Sequence, residues 1–99
     1  MPFAEDMLTR LKPLARKLID HEMYGYLSDV ADLLAGFSSG NWPKLSDEDQ
    51  EEYLKTMSGT FHVRAMGDSE LSDDPDYRFV LERVGQELRA TRLRLDQSG

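Results

Sequence analysis

The sequence predicts an all-α fold, a small single-domain bundle of about four antiparallel helices. The first observation is that apolar side chains recur every three or four residues in four separate stretches, which is the period of an amphipathic helix. The second is that Gly, Pro and helix-capping residues separate these stretches. The third is the length of 99 residues, which suits one domain with one modest core. We therefore assign residues 1–99 to a single helical domain.

The first helix is predicted to span residues 4–19. Its apolar residues fall on one stripe, and the stripe keeps its phase across Pro13. Proline has no backbone N–H to donate inside a helix, so we expect this helix to be kinked at Pro13. The alternative is that a second helix begins at Pro13. The stripe consists of Met7, Leu11, Leu14 and Leu18.

A second apolar stripe follows almost at once, and it predicts a helix over residues 22–37. One unbroken helix over both stripes would measure about 51 Å at 1.5 Å per residue, which is too long for a domain of this size. We therefore expect a break near residues 20–22, with Asp20 as the N-cap of the second helix. Gly25 is a second possible break. The small residues before Gly40 predict the end of this helix.

The third helix is predicted over residues 47–66. Ser46 is the expected N-cap, and Asp49 three residues later completes a pattern that resembles a capping box. Residues 60–66 also alternate apolar and polar side chains, which is a strand pattern. We prefer the helix because the chain offers no second strand as a partner. A strand here would have to pair across a dimer.

The fourth helix is predicted over residues 75–93. Asp74 is the expected N-cap, and Pro75 suits the first helical position. The residues after this helix, 95–99, are expected to fray. The core stripe consists of Tyr77, Val80, Leu81, Val84 and Leu88, with Leu81 and Val84 at its buried centre.

The net charge of −7 is unevenly distributed along the chain. Residues 46–76 contain ten acidic and two basic residues, so this segment alone has a net charge of −8. A nucleic-acid ligand is not expected, because phosphate binding needs a clustered basic field. A basic protein partner is the charge-complementary expectation. The alternative is that the acidic residues only keep a small domain in solution.

Several kinds of site and location are disfavoured by what the sequence lacks. There is no cysteine, which excludes disulfides, zinc-thiolate sites and thiol nucleophiles and fits a cytoplasmic protein. No segment resembles a signal peptide or approaches the roughly 20 apolar residues of a membrane span. Phosphate-binding loops and known catalytic motifs are missing. A calcium-loop spacing that begins at Asp68 lacks the required glycine and final glutamate. We expect no enzymatic activity, metal, cofactor or membrane interaction.

Trp42 is the only tryptophan, and it lies directly before Pro43 in the connector between the second and third helices. Proline disfavours the helical conformation for the residue before it, so Trp42 should be extended. Two interpretations of the indole are open. It folds back to close the end of the core, or it is an exposed anchor for a partner, since tryptophan is enriched among the residues that dominate binding energy.

Five of the six residues at 47–52 are acidic. Asp47 and Asp49 lie in the first turn of the third helix, where negative charge complements the positive end of the helix dipole. Glu51 can pair with Lys55 four residues later. We expect Glu52 to lack a local partner and to be available to a binding protein.

These observations predict a small acidic helical protein-binding module of the inhibitor or immunity type that covers a basic site on its partner. Its small size, acidity and helical character are similar to those of inhibitor and immunity proteins that neutralise basic toxins and nucleases, although no motif carries this similarity. The alternative is a structural or adaptor subunit that self-associates, as a homodimer, through apolar faces of helices two and four. The candidate partner-binding residues are Trp42, Asp47, Glu48, Glu51, Glu52, Asp68, Glu70, Asp73 and Asp76.

Overall fold

The computed structural model of the protein describes residues 2–62, 65–66 and 70–98. Within these ranges the chain forms four α-helices, a 3-10 turn between the second and third of them, and no strand. The all-α prediction is therefore confirmed. The helices are α1 (Phe3–Asp20), α2 (Tyr24–Ser38), α3 (Asp47–Thr60) and α4 (Pro75–Ser98), and the 3-10 turn is Trp42–Lys44. The expectation that Trp42 is extended is therefore wrong.

The helices pack in three close pairs among the described residues. α1 packs against α2, and α4 packs against both α1 and α3. The remaining side of the bundle, where α2 and α3 face each other, is more open. Side chains of both helices line a groove there. This groove therefore lies between two helices that are not among the closely packed pairs.

The predicted apolar stripe of α1 forms the centre of the core. Met7, Leu11, Leu14 and Leu18 are all fully buried. Pro13 lies inside α1, which continues without interruption to Asp20. The alternative in which a separate helix begins at Pro13 is therefore wrong. The kink expected at this proline stays a prediction.

The break between α1 and α2 lies near the expected position, but it is formed by a C-terminal cap of α1 and not by an N-cap of α2. The backbone N–H of Glu22 donates to the carbonyl of Ile19 at 3.0 Å. The N–H of Met23 donates to the carbonyl of Leu18 at 2.8 Å. Together with the positive φ of 57° at Glu22, these bonds form a Schellman motif that ends α1. Asp20 is therefore the last residue of α1, and its prediction as the N-cap of α2 is wrong.

The start of α3 is as predicted, but its end is not. The Ser46 hydroxyl accepts a hydrogen bond from the backbone N–H of Asp49 at 3.1 Å, which confirms the N-cap. α3 ends at Thr60 and not at residue 66. The poor helix formers at 58–60 favour this end, and the Tyr77 hydroxyl satisfies the buried carbonyl of Phe61 at 2.8 Å. Residues 60–62 and 65–66 contain no strand, and the remainder of the alternative, at 63–64, lies outside the described residues.

The N-terminus of α4 confirms the predicted cap. The Asp74 carboxylate accepts hydrogen bonds from the backbone N–H groups of Asp76 and Tyr77 at 2.9 and 3.0 Å. Val84 is buried as expected, whereas Leu81 is only partly buried, so its prediction as a central core residue is wrong. Tyr77 and Val80 of the predicted stripe are also buried, and Leu88, like Leu81, is only partly buried. α4 also continues to Ser98, beyond the predicted end at residue 93.

Replacing Leu14 with Ala should lower the free energy of unfolding by about 2–5 kcal/mol, because the substitution leaves a cavity in the most buried part of the core. Leu93 is the matched control, since its side chain is 61% exposed on α4. Leu93→Ala should change the free energy of unfolding by less than about 0.5 kcal/mol. Urea denaturation measures both variants. Equal losses at the two positions would contradict the core assignment.

Candidate binding groove between α2 and α3

The indole of Trp42 is part of the core, with only 8% of the residue exposed. Its ring centroid lies 5.2 Å from that of Phe3, 5.5 Å from that of Phe37 and 5.7 Å from that of Tyr53. These distances are typical of favourable aromatic pairs. The first interpretation of Trp42, in which it closes the end of the core, is therefore correct. The exposed-anchor interpretation is wrong, because the ring has almost no surface left to offer a partner.

A buried polar side chain holds the connector that carries Trp42. The Gln50 amide donates to the carbonyl of Trp42 at 2.9 Å, and its oxygen accepts from Arg94 of α4 at 3.3 Å. Gln50 is 8% exposed. The sequence interpretation did not include it, although Gln50 lies four residues before buried Leu54 and so falls on the apolar face of α3. The feature of the sequence that could have identified Gln50 is a polar residue at a position of the apolar stripe.

Two of the candidate partner-binding acids hold α3 against α4. Asp47 pairs with Arg94 at 3.3 Å. Glu51 pairs with Arg92 at 3.4 Å and with Lys55 at 3.7 Å. These carboxylates therefore have partners within the protein, and their first contribution is to the helix packing.

Asp76 belongs to an ion cluster that joins α1 to the start of α4. Its carboxylate lies 3.1 Å from the guanidinium of Arg10 and 2.8 Å from the ammonium of Lys17. The same ammonium group also contacts the carboxylate of Asp74 at 2.6 Å. Burial raises the pKa of Asp76, but the hydrogen bonds from Lys17 and Arg10 outweigh burial, and the net pKa lies below 3.8. The hydrogen bonds to Asp74 and Asp76 raise the pKa of Lys17. Asp76 is 9% exposed, so this residue supports the scaffold.

The acidic loop before α4 contributes more exposed contacts. The Glu70 carboxylate lies 2.6 Å from Nδ1 of His21, at the corner between α1 and α2. Asp73 lies 3.5 Å from Arg78, and its side chain is 96% exposed. The remaining candidate, Asp68, lies outside the described residues.

Glu48 and Glu52 lie on the exposed side of α3. Glu52 contacts Lys55 at 3.4 Å, so the expectation that it lacks a local partner is wrong. Lys55 follows Glu52 by three residues, which places both side chains on one helix face. Glu48 has no ion-pair partner among the described residues. Those of the predicted acids that the structure describes are thus divided between ion pairs of the scaffold and positions exposed to solvent.

The groove between α2 and α3 consists of two cavities on either side of Tyr53. The first has a volume of about 250 Å³ and the second of about 240 Å³. The first is lined by Asp29, Asp32, Leu33, Tyr53, Thr56, Met57 and Thr60. The second is lined by Gly36, Phe37, Ser39, Asn41, Trp42, Leu45 and Tyr53.

Tyr53 divides the groove because α2 makes room for its hydroxyl. A Cβ atom added at Gly36 would lie 2.8 Å from the Tyr53 hydroxyl oxygen, so any larger residue there would displace the ring. The ring also packs edge-on against Phe37 and Trp42, with centroid distances of 5.8 and 5.7 Å. The aromatic core of the protein is thus continuous with the floor of the second cavity.

The first cavity has an acidic rim. Asp29 and Asp32 are exposed on α2 and lie three residues apart, on one side of the helix. Neither has an ion-pair partner in the described part of the chain, and no Lys or Arg lines either cavity. Burial and the charge of Asp32 raise the pKa of Tyr53 above 10.0. The sequence interpretation missed both acids because they lie outside the acidic segment 46–76. The feature of the sequence that could have identified Asp29 and Asp32 is their spacing of three residues next to the apolar position of Leu33.

Neither a metal site, a membrane-spanning helix nor a similar known protein indicates a function for the described part of the chain. No cluster of three or more His, Asp or Glu side chains is arranged to hold a metal ion in the described ranges. None of the helices described is both long and apolar enough to cross a membrane. Comparison of the chain with protein-family models, curated proteins and solved structures finds no match. The groove and its charges are therefore the features of the molecule that bear on function.

Replacing Asp76 with Asn should lower the free energy of unfolding at neutral pH by about 1–3 kcal/mol, because Lys17 and Arg10 lose a partly buried anionic acceptor. The folded-state pKa of Asp76 is lowered, so its contribution is present above the ordinary value of 3.8 and is lost as the pH falls through the lower folded value. The difference in the free energy of unfolding between wild type and variant should therefore become smaller as the pH falls below about 4. Urea denaturation across this range measures it. Asp73→Asn removes an exposed carboxylate of the same loop and should leave the urea midpoint of unfolding unchanged. An equal loss of stability in Asp73→Asn would contradict the role of Asp76 in the ion cluster.

Replacing Asp32 with Asn should lower the pKa of Tyr53 towards its ordinary value of 10.0, because a negative charge beside the phenol disfavours the phenolate. Burial should keep the pKa of Tyr53 somewhat above that value. Nuclear magnetic resonance of tyrosine labelled at ring Cζ follows the titration residue by residue. Asp47→Asn is the control, since Asp47 pairs with Arg94 and does not line the groove. No shift with Asp32→Asn, or equal shifts with both variants, would show that Asp32 does not face Tyr53.

Proposed function

We propose that the protein is a binding module that receives a basic segment of a partner protein in the groove between α2 and α3. The observation that carries this proposal is the combination of an aromatic and aliphatic floor with two carboxylates, Asp29 and Asp32, that have no ion-pair partner in the described part of the chain. A cationic side chain of the partner would pair with these carboxylates. An apolar side chain would contact the floor beside Tyr53.

The size of the cavities favours a protein ligand over a small molecule. Each is smaller than the roughly 300–1,000 Å³ of a typical small-molecule pocket. They lie side by side, and only the first is lined by carboxylates, so they suit two different side chains of one polypeptide. Asp49 and Glu52 lie one helical turn before the α3 residues that line the groove, and they extend the negative charge along it.

The charge distribution supports an inhibitor or immunity type of action. A negative groove accelerates encounter with a basic surface and disfavours acidic partners. A protein that occupies a basic site meant for phosphates would block access to that site. The lack of cysteine fits action in the cytoplasm.

The test compares two doubly neutralised variants of the full chain in affinity capture from the native cell, eluted across a salt gradient. Asp29→Asn/Asp32→Asn changes the groove. Glu82→Gln/Asp96→Asn removes the same charge from exposed positions of α4 and is the matched control. A basic protein should be retained by the wild type and the control, lost with the groove variant, and eluted by salt, since screening weakens exposed ion pairs.

The alternative of self-association through α2 and α4 predicts a different result. A homodimer held by apolar surface would persist at high salt and would tolerate both double variants. Sedimentation measurements at low and high salt follow its mass. A salt-resistant dimer together with equal capture by the groove and control variants would overturn the proposal.

A further inference from the structure

We infer that the segment received by the groove is an amphipathic α-helix that presents a Lys or Arg to the first cavity and an apolar side chain to the second. This inference rests on the proposed function and adds the conformation and register of the ligand.

The walls of the groove favour side-chain recognition. The first cavity is walled by α2 and α3, whose backbone groups are hydrogen-bonded within each helix except at their ends. The second cavity is lined by the end of α2, by the connector residues 39–45 and by Tyr53 of α3. A groove of this kind has no free strand edge, so an extended peptide could not add main-chain hydrogen bonds as it does at the edge of a sheet. An extended ligand would leave its own backbone groups unpaired against the apolar floor, at a cost in free energy. A helical ligand satisfies its backbone internally.

The shape of the bundle gives a helix a place to lie. α2 packs on α1 and α3 packs on α4, while the space between α2 and α3 is left open. A further helix in that space would pack its side chains into the furrow between two helices, as helices do in the cores of bundles. Tyr53 projects into the middle of the furrow and separates the two side-chain positions.

The charges fix which end of the groove takes the cation. Asp29 and Asp32 line the first cavity, and so does Thr60, the last residue of α3. The C-terminus of a helix carries the negative end of its dipole, which also favours a cation there. The second cavity is lined by Phe37, Trp42 and other residues that include no charged side chain. The cation should therefore lie at the end of the groove near Thr60.

The two cavities also set the spacing along the ligand. On α2 their lining runs from Asp29 to Phe37, which is eight residues or about 12 Å along the helix axis. Residues seven or eight apart on a ligand helix lie on one face at a matching distance. The ligand should thus carry its cation and its apolar anchor about two turns apart, with further apolar residues at intervals of three and four.

The experiment selects binders from a displayed library of random 16-residue peptides with the full-length protein, and counter-selects with Asp29→Asn/Asp32→Asn. A synthetic peptide of the enriched sequence and its central proline variant are then titrated against three proteins: the wild type, the groove variant and the control Glu82→Gln/Asp96→Asn. The expected peptides carry Lys or Arg and repeat their apolar residues every three or four positions. The proline variant should bind about 100-fold more weakly, because proline breaks the helix. The groove variant should bind about tenfold more weakly than the control.

Two other outcomes separate the inference from the proposed function. Enriched peptides with alternating apolar residues, which bind equally well with the central proline and still depend on Asp29 and Asp32, would overturn the helical ligand and leave the proposed function in place. Selection that enriches no basic peptide, or binding that is equal for the groove variant and the control, would overturn both.

Discussion

The packing of the Trp42 indole against Phe3, Phe37 and Tyr53 is the interaction on which the rest of the structure depends. These rings come from the connector and from three different helices, and each pair contributes roughly 0.5–1.5 kcal/mol beyond the burial of its area. The cluster closes the end of the core where α1, α2 and α3 meet. It also sets the position of Tyr53, whose ring divides the groove. The stability of the fold and the shape of the groove therefore share one set of contacts.

The acidic run after the tryptophan has a structural role and a surface role. Asp47 and Glu51 pair with arginines of α4 and help to hold α3 in place. Glu48 and Glu52 face solvent, and Glu52 makes an exposed contact with Lys55. The charge that bears on the groove comes chiefly from α2. Scaffold ion pairs thus account for part of the charge of the acidic segment, and the proposed binding charge lies on the opposite wall.

The sequence predicted the features that depend on local order. Apolar spacing identified all four helices, and the caps at Ser46 and Asp74 follow from short-range hydrogen bonding. The end of α1 was predicted within one residue, but the Schellman motif that forms it was missed, because Glu22 adopts a left-handed conformation that usually indicates glycine. The pairing of Asp76 with α1 joins residues 59 and 66 positions apart, so no local pattern reveals it. The groove was missed for the same reason, since Asp29 acquires its setting only when α3 packs nearby.

Because the protein has a single tryptophan, its fluorescence tests the central claim directly. The claim is that the indole of Trp42 is an internal part of the scaffold and packs against Tyr53, the residue that divides the groove. The free protein should show an emission maximum at a shorter wavelength than free tryptophan, and iodide should quench it poorly, because only 8% of the residue is exposed. Emission at the wavelength of free tryptophan, with ready quenching by iodide, would contradict the account.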